Sequence, residues 1–131
     1  MGHNLIVERT FAYSLNIIRL YRDLKRDKVG ELLGKQLLRS GTSIGANVYE
    51  AQGGQSRADF IAKLSIAHKE AREAAYWLRL IDKAGILGTP RATPDATASA
   101  NNLASLQNET GQLIKILLSI LLTAKGQDKN T

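Results

Sequence analysis

The sequence predicts an all-α chain, one domain built as an up-down-up-down antiparallel four-helix bundle. Three observations carry this. Apolar residues recur at the 3.6-residue helical period in four separate segments. No run of β-branched residues alternates with polar ones, and no Asn-Gly or Asp-Gly hairpin turn occurs. The only two prolines, Pro90 and Pro94, sit together, so the rest of the chain is free of the strongest helix breaker. With 131 residues there is room for one core and no second domain, so residues 1–131 are read as a single unit.

The first helix is expected over residues 8–25. Phe11, Leu15, Ile18 and Tyr21 form its apolar row, flanked by Ile17, Leu20 and Leu24. Residues 1–7 are expected to fray. The second helix spans residues 31–52, with Leu33, Leu37, Ser40, Ile44, Asn47 and Ala51 in the core row. Gly34, Gly41 and Gly45 lie inside it, each costing up to ~1 kcal/mol relative to Ala. The small set Gly41, Ser43, Gly45 and Ala46 offsets that cost if another backbone passes close by.

The third helix opens on a capping box, with Ser56 as N-cap and Asp59 three residues on. Phe60, Leu64, Ala67, Ala71, Ala74, Leu78 and Ile81 then hold the heptad steps, the strongest pattern in the chain. Gly85 and Ile86 read as its C-terminal cap. For the fourth helix, Thr93 is the expected cap and Pro94 the first helical residue. Its row is Leu103, Leu106, Thr110, Leu113, Leu117 and Ile120, and residues 125–131 are expected to fray.

Composition closes off several chemistries. There are no cysteines, which excludes disulfides, thiolate metal sites and a cysteine nucleophile. Two histidines, His3 and His68, cannot build the Glu-x-x-His pairs of a di-iron bundle, because Ser65 stands three residues before His68. No Gly-x-Ser-x-Gly elbow accompanies His68. Gly53-Gly54-Gln55-Ser56 lacks the spacing of a phosphate-binding loop and is read as a tight turn between helices. No enzyme, cofactor or metal is therefore expected. The most apolar stretch, Leu113 to Leu122, is far short of the ~20 residues a membrane span needs, and no export signal opens the chain. A cytoplasmic protein with no membrane partner is expected.

The remaining signals concern surfaces. Ile114, Leu118, Leu121 and Leu122 are apolar beyond what one bundle core requires, so they are assigned to an interface between copies of the chain. Lys+Arg number 18 against 12 Asp+Glu, a formal net charge of +6 that favours an anionic partner. Lys69, Arg72, Tyr76, Arg79 and Lys83 recur at steps of three and four and form one stripe, a candidate track for a nucleic-acid backbone with Tyr76 available for stacking. Glu73 and Asp82 stand where they can pair locally with Lys69 and Arg79. Arg19, Arg22 and Arg26 form a second basic row, with Asp23 placed to pair with Arg19. Ser40, Ser43, Asn47, Glu50, Glu70 and Glu73 are read as a structural polar network between helices or subunits. Within it, Asn47 ties two helices in register.

The stretch Lys35-Gln36-Leu37-Leu38-Arg39-Ser40-Gly41-Thr42-Ser43-Ile44-Gly45-Ala46-Asn47-Val48-Tyr49-Glu50-Ala51 is distinctive. So are Ser56-Arg57-Ala58-Asp59-Phe60-Ile61-Ala62-Lys63-Leu64, His68-Lys69-Glu70-Ala71, Glu73 and Tyr76-Trp77-Leu78. Together they resemble the four-helix-bundle proteins encoded within intervening sequences of bacterial 23S ribosomal RNA genes, over residues 11–125. The resemblance implies a homopentamer. It also implies a link to RNA, since relatives include the nucleic-acid-binding accessory protein of diversity-generating retroelements. It marks Ser40, Ser43, Asn47, Glu50, Ser56, Asp59, Phe60, Lys63, Glu70, Glu73 and Trp77 as signature positions, structural in role. Ala74 and Ala75 depart from the acid or Thr that members often carry before the Tyr-Trp pair. The expectation is thus a homo-oligomer that binds RNA or DNA, with a scaffold for an acidic or nucleoprotein partner as the alternative.

Overall fold

The computed structural model describes residues 2–88 and 94–129, with side chains over 5–88 and 94–126. The described residues form four α-helices and no strand: α1 (Gly2–Leu24), α2 (Lys28–Gln52), α3 (Arg57–Lys83) and α4 (Pro94–Lys129). Each helix packs on its neighbours in the cyclic order α1, α2, α3, α4, and all four contribute to one hydrophobic core. The backbones of the diagonal pairs stay apart among the described residues.

Helix α1 begins at Gly2, earlier than expected, because its buried row starts at Ile6 and continues through Thr10, Tyr13, Ile17, Leu20 and Leu24. The expected leading row is corrected: Phe11 is 66% exposed and Leu15 41% exposed. The true row was concealed by its two polar members. Thr10 can be buried because its hydroxyl donates to the Ile6 carbonyl at 2.8 Å. Tyr13 can be buried because its hydroxyl shares a 2.6 Å hydrogen bond with Thr110 of α4. A buried hydroxyl with a partner avoids the penalty that would push it outward.

In α2 the buried residues are Gly30, Gly34, Leu37, Ser40, Gly41, Ile44, Val48 and Ala51. Leu33 and Asn47, both placed in the core row by periodicity, are only half-buried. The row shifts toward the glycines because they let α1 come close. A Cβ on Gly45 would stand 3.2 Å from the Thr10 carbonyl oxygen. One on Gly30 would run into the backbone of Leu24 at the α1–α2 turn.

Helix α3 follows its expected row, with Leu64, Ala67, Ala71, Ala74, Leu78 and Ile81 all buried and Phe60 half-buried. Ser56 caps it by accepting the Asp59 backbone N–H at 3.1 Å. At the other end Gly85 takes a φ of +66°, which a Cβ disfavours, and Ile86 packs back onto the core. The expected cap of α4, Thr93, lies outside the described residues. The helix itself continues to Lys129, past the expected fraying point. Its buried row passes from Leu117 to Leu121 and Ala124 rather than to Ile120, which is half-buried.

Two glycines distinguish close approach from simple propensity. Gly30→Ala is expected to lower unfolding free energy by about 1–3 kcal/mol despite alanine's better helix propensity, the cost of forced overpacking. Gly111, exposed with open space around it in mid-α4, gives the opposite sign: Gly111→Ala is expected to stabilise by about 0.5–1 kcal/mol. Urea unfolding of the two variants checks both signs.

Candidate nucleic-acid interface

The core row of α3 turns its opposite side outward, and that side carries the basic stripe. Lys69, Arg72, Tyr76, Arg79 and Lys83 are all exposed. The expected local pairing is corrected by the structure. Glu73 does not engage Lys69; its Oε1 accepts from Arg39 Nη2 of α2 at 2.6 Å and from Trp77 Nε1 at 3.3 Å. Asp82 does not engage Arg79; its Oδ2 accepts from Gln107 of α4 at 3.4 Å. Among the described residues, no carboxylate lies within ion-pair distance of Lys69, Arg72, Arg79 or Lys83. Their charged groups face solvent and salt.

The second basic row is arranged differently. Arg19, Arg22 and Arg26 are exposed on α1. Arg19 donates to Asn16 Oδ1 at 2.7 Å, and Arg26 stands 4.0 Å from Asp23. Asp23, expected beside Arg19, instead accepts from Ser99 of α4 at 2.7 Å. Since α1 and α3 stand diagonally in the bundle, the two basic rows belong to separate faces.

The polar residues read as one network divide into smaller sets. Arg39, which periodicity alone left out, is the bridging cation. It donates from Nη1 to Glu70 Oε2 at 2.9 Å and from Nη2 to Glu73 Oε1 at 2.6 Å, tying α2 to α3. Glu70 is 7% exposed, and this contact supplies the charge partner that a buried carboxylate requires. Hydrogen bonds from Arg39 first, then Trp77, hold the Glu73 carboxyl below its ordinary range. A separate contact joins Glu50 to Lys63 at 3.5 Å. Ser40, Ser43 and Asn47 hydrogen-bond to carbonyls of their own helix: Gln36, Arg39 and Ser43 respectively. Asn47 therefore does not tie two helices in register. Its amide finds a partner four residues back, and its half-exposure removes the need for one across the bundle. Residue order marks Arg39 only by its place directly before Ser40; that it faces Glu70 and Glu73 follows from the packing of α2 on α3.

The apolar surplus of α4 also divides. Leu121, assigned to an interface between copies, is 4% exposed and belongs to the chain's own core. Ile114 is half-buried against that core. Leu118 and Leu122 remain outside, 44% and 61% exposed. Phe11, Leu15 and Tyr49 join them as exposed large side chains on α1 and α2.

His68 sits on α3 beside the stripe. Its Nε2 is buried without a hydrogen-bond partner, and burial first, then the Arg72 charge, lowers its pKa below 6.5. Among the described residues no group of three or more acids and histidines is placed to hold a metal ion. Burial pushes the Tyr13 hydroxyl up to about 12, which keeps it a neutral hydrogen-bonding group.

The His68 environment sets a pH dependence. A histidine whose folded pKa is depressed binds its proton more weakly in the folded state, so acid favours unfolding. Thermal stability is expected to fall as pH drops below the ordinary value of 6.5 and through the lowered folded value. His68→Leu should flatten this part of the profile. Melting curves between about pH 7.5 and 5, the range of histidine titration, make the comparison.

The chain matches the family model described as 23S rRNA-intervening sequence protein over residues 3–119. Among solved structures it is similar to the crystal structure of a protein of unknown function from the S23 ribosomal protein family of Bacteroides thetaiotaomicron. The two are 38% identical with a TM-score of 0.76, and the match covers 92% of this chain and 98% of that one. No curated protein matches the chain. Residues 3–119 take in all of α1, α2 and α3 but the first residue of α1, and most of α4, so the chain belongs to the 23S rRNA-intervening sequence protein family.

Proposed function

We propose that the chain is a non-enzymatic, homo-oligomeric accessory protein that binds RNA mainly through its phosphates. The observation that carries this is the outer face of α3, where Lys69, Arg72, Arg79 and Lys83 have no carboxylate partner among the described residues. Four uncancelled cations in line make a field that attracts a polyanion. The protein works in the cytoplasm, where RNA is present.

The fold reading is an up-down-up-down bundle. Supporting it, partner numbers fall along α4 as they rise along α1, from Tyr13 with Thr110 through Asn16 with Asn102 to Asp23 with Ser99. The same reversal relates Arg39 to Glu70 and Glu50 to Lys63 across α2 and α3. Five copies assemble through apolar side chains left outside the core, with Leu118, Leu122 and the half-buried Ile114 among them. The pentamer number rests on the family resemblance, and the exposed apolar residues support association.

Two measurements test these readings. Four phosphate contacts on a single strand are expected to give a slope of about −3 in log affinity against log salt concentration. Replacing Arg72 and Arg79 by Glu should weaken binding to all RNA sequences about equally. No binding at low salt, or binding indifferent to salt, overturns the reading and leaves the face to an acidic or nucleoprotein partner. Light scattering on the purified protein should give the mass of five chains; a folded monomer on dilution overturns the assembly.

A further inference from the structure

Tyr76 divides the basic stripe, four residues after Arg72 and three before Arg79. At ~1.5 Å rise per residue, the two arginines lie about 10 Å apart along α3 with the phenol ring between them. That ring is 60% exposed. It meets the Trp77 ring edge-to-face, with centroids 5.2 Å apart and planes at 77°. Trp77 is itself held: it is half-buried against the core, and its Nε1 donates to Glu73, which Arg39 grips from α2. The chain of contacts from Arg39 through Glu73 and Trp77 props Tyr76 outward in a set position. Leu80, one turn further on and 37% exposed, extends the apolar strip beside it.

A row of cations alone suits any polyanion. An open aromatic ring between two of them selects further. In a duplex the base faces are stacked on each other, so such a ring would find only sugar and phosphate. In a single strand each base has a free π-face, and stacking on an aromatic side chain adds affinity without requiring a particular sequence. We infer that α3 binds single-stranded polynucleotide, one base stacking on Tyr76 while the flanking phosphates rest on Arg72 and Arg79. This rests on the phosphate-binding reading of the same face and adds the base to it.

Trp77 is the only tryptophan in the chain, so intrinsic fluorescence reports directly on the ring next to the platform. The full-length protein is titrated at low salt with an oligothymidine, an abasic strand of equal length and a duplex of equal length. The oligothymidine is expected to quench Trp77 emission and to bind about ten-fold tighter than the abasic strand, the scale of one stacked base. Tyr76→Ala should erase that difference, and Tyr76→Phe should keep it. Tyr76 is exposed, and unchanged helical circular dichroism verifies that both variants fold. Equal affinity for the oligothymidine and the abasic strand overturns the stacked base and leaves the phosphate reading standing. Tighter binding of the duplex also overturns it. Absence of binding by every strand, and by an oligouridine of equal length, overturns both.

Discussion

Arg39 takes two carboxylates of α3, and the charge pattern of the outer surface follows from that choice. Glu73 and Glu70 turn toward α2, so Glu73 is withdrawn from Lys69, its neighbour one turn back. Asp82 is withdrawn from Arg79 in the same way, by Gln107 of α4. Asp23 turns to Ser99 and Glu109 to Arg9. Acids are engaged across helix boundaries while the cations of the α3 stripe stay in water. Exposed ion pairs contribute only about 0–1 kcal/mol each, so their larger consequence here is placement. A formal excess of +6 becomes a directed field because the compensating charges sit elsewhere.

The seams between helices use different means. The α1–α2 seam depends on missing side chains, with Gly30 against the Leu24 backbone and Gly45 against Thr10. The α1–α4 seam is stitched by polar contacts, from Arg9–Glu109 through the buried Tyr13–Thr110 pair to Asn16–Asn102 and Asp23–Ser99. Directional bonds of this kind set register, because a slip of one residue would leave the buried Tyr13 hydroxyl without its Thr110 partner, while Thr110 keeps its bond to the Leu106 carbonyl. The alanines of α3 let it lie close to its neighbours, and its outer face is left free to carry charge.

Much of this was legible from residue order. The four helices, the Ser56 cap, the Gly85 terminus and the whole α3 row follow from period and end signals that depend on local sequence. The rows of α1 and α2 were misplaced by a fraction of a turn for one reason in each. In α1 the core includes Thr10, whose hydroxyl bonds back to the Ile6 carbonyl of its own helix, and Tyr13, whose hydroxyl finds its partner only on α4. In α2 the core includes glycines, which carry no hydropathy to detect. Leu121 was sent outside because α4 is apolar around most of its girth, and period alone cannot choose among adjacent leucines. The stripe on α3 was visible as spacing. Its freedom from local pairing was not, because the competing donors Arg39 and Gln107 lie on other helices, far away in sequence.

Among the described residues the stripe cations Lys69, Arg72, Arg79 and Lys83 have no carboxylate within ion-pair distance, while Arg9 and Arg39 at helix boundaries are engaged. Titration of the protein with tripolyphosphate at low salt, followed by NMR of arginine and lysine side-chain nitrogens, tests it most directly. Lys69, Arg72, Arg79 and Lys83 are expected to shift first and together, with Arg9 and Arg39 unmoved. Shifts led by Arg39 or Arg9, or spread evenly over all cations, would contradict it.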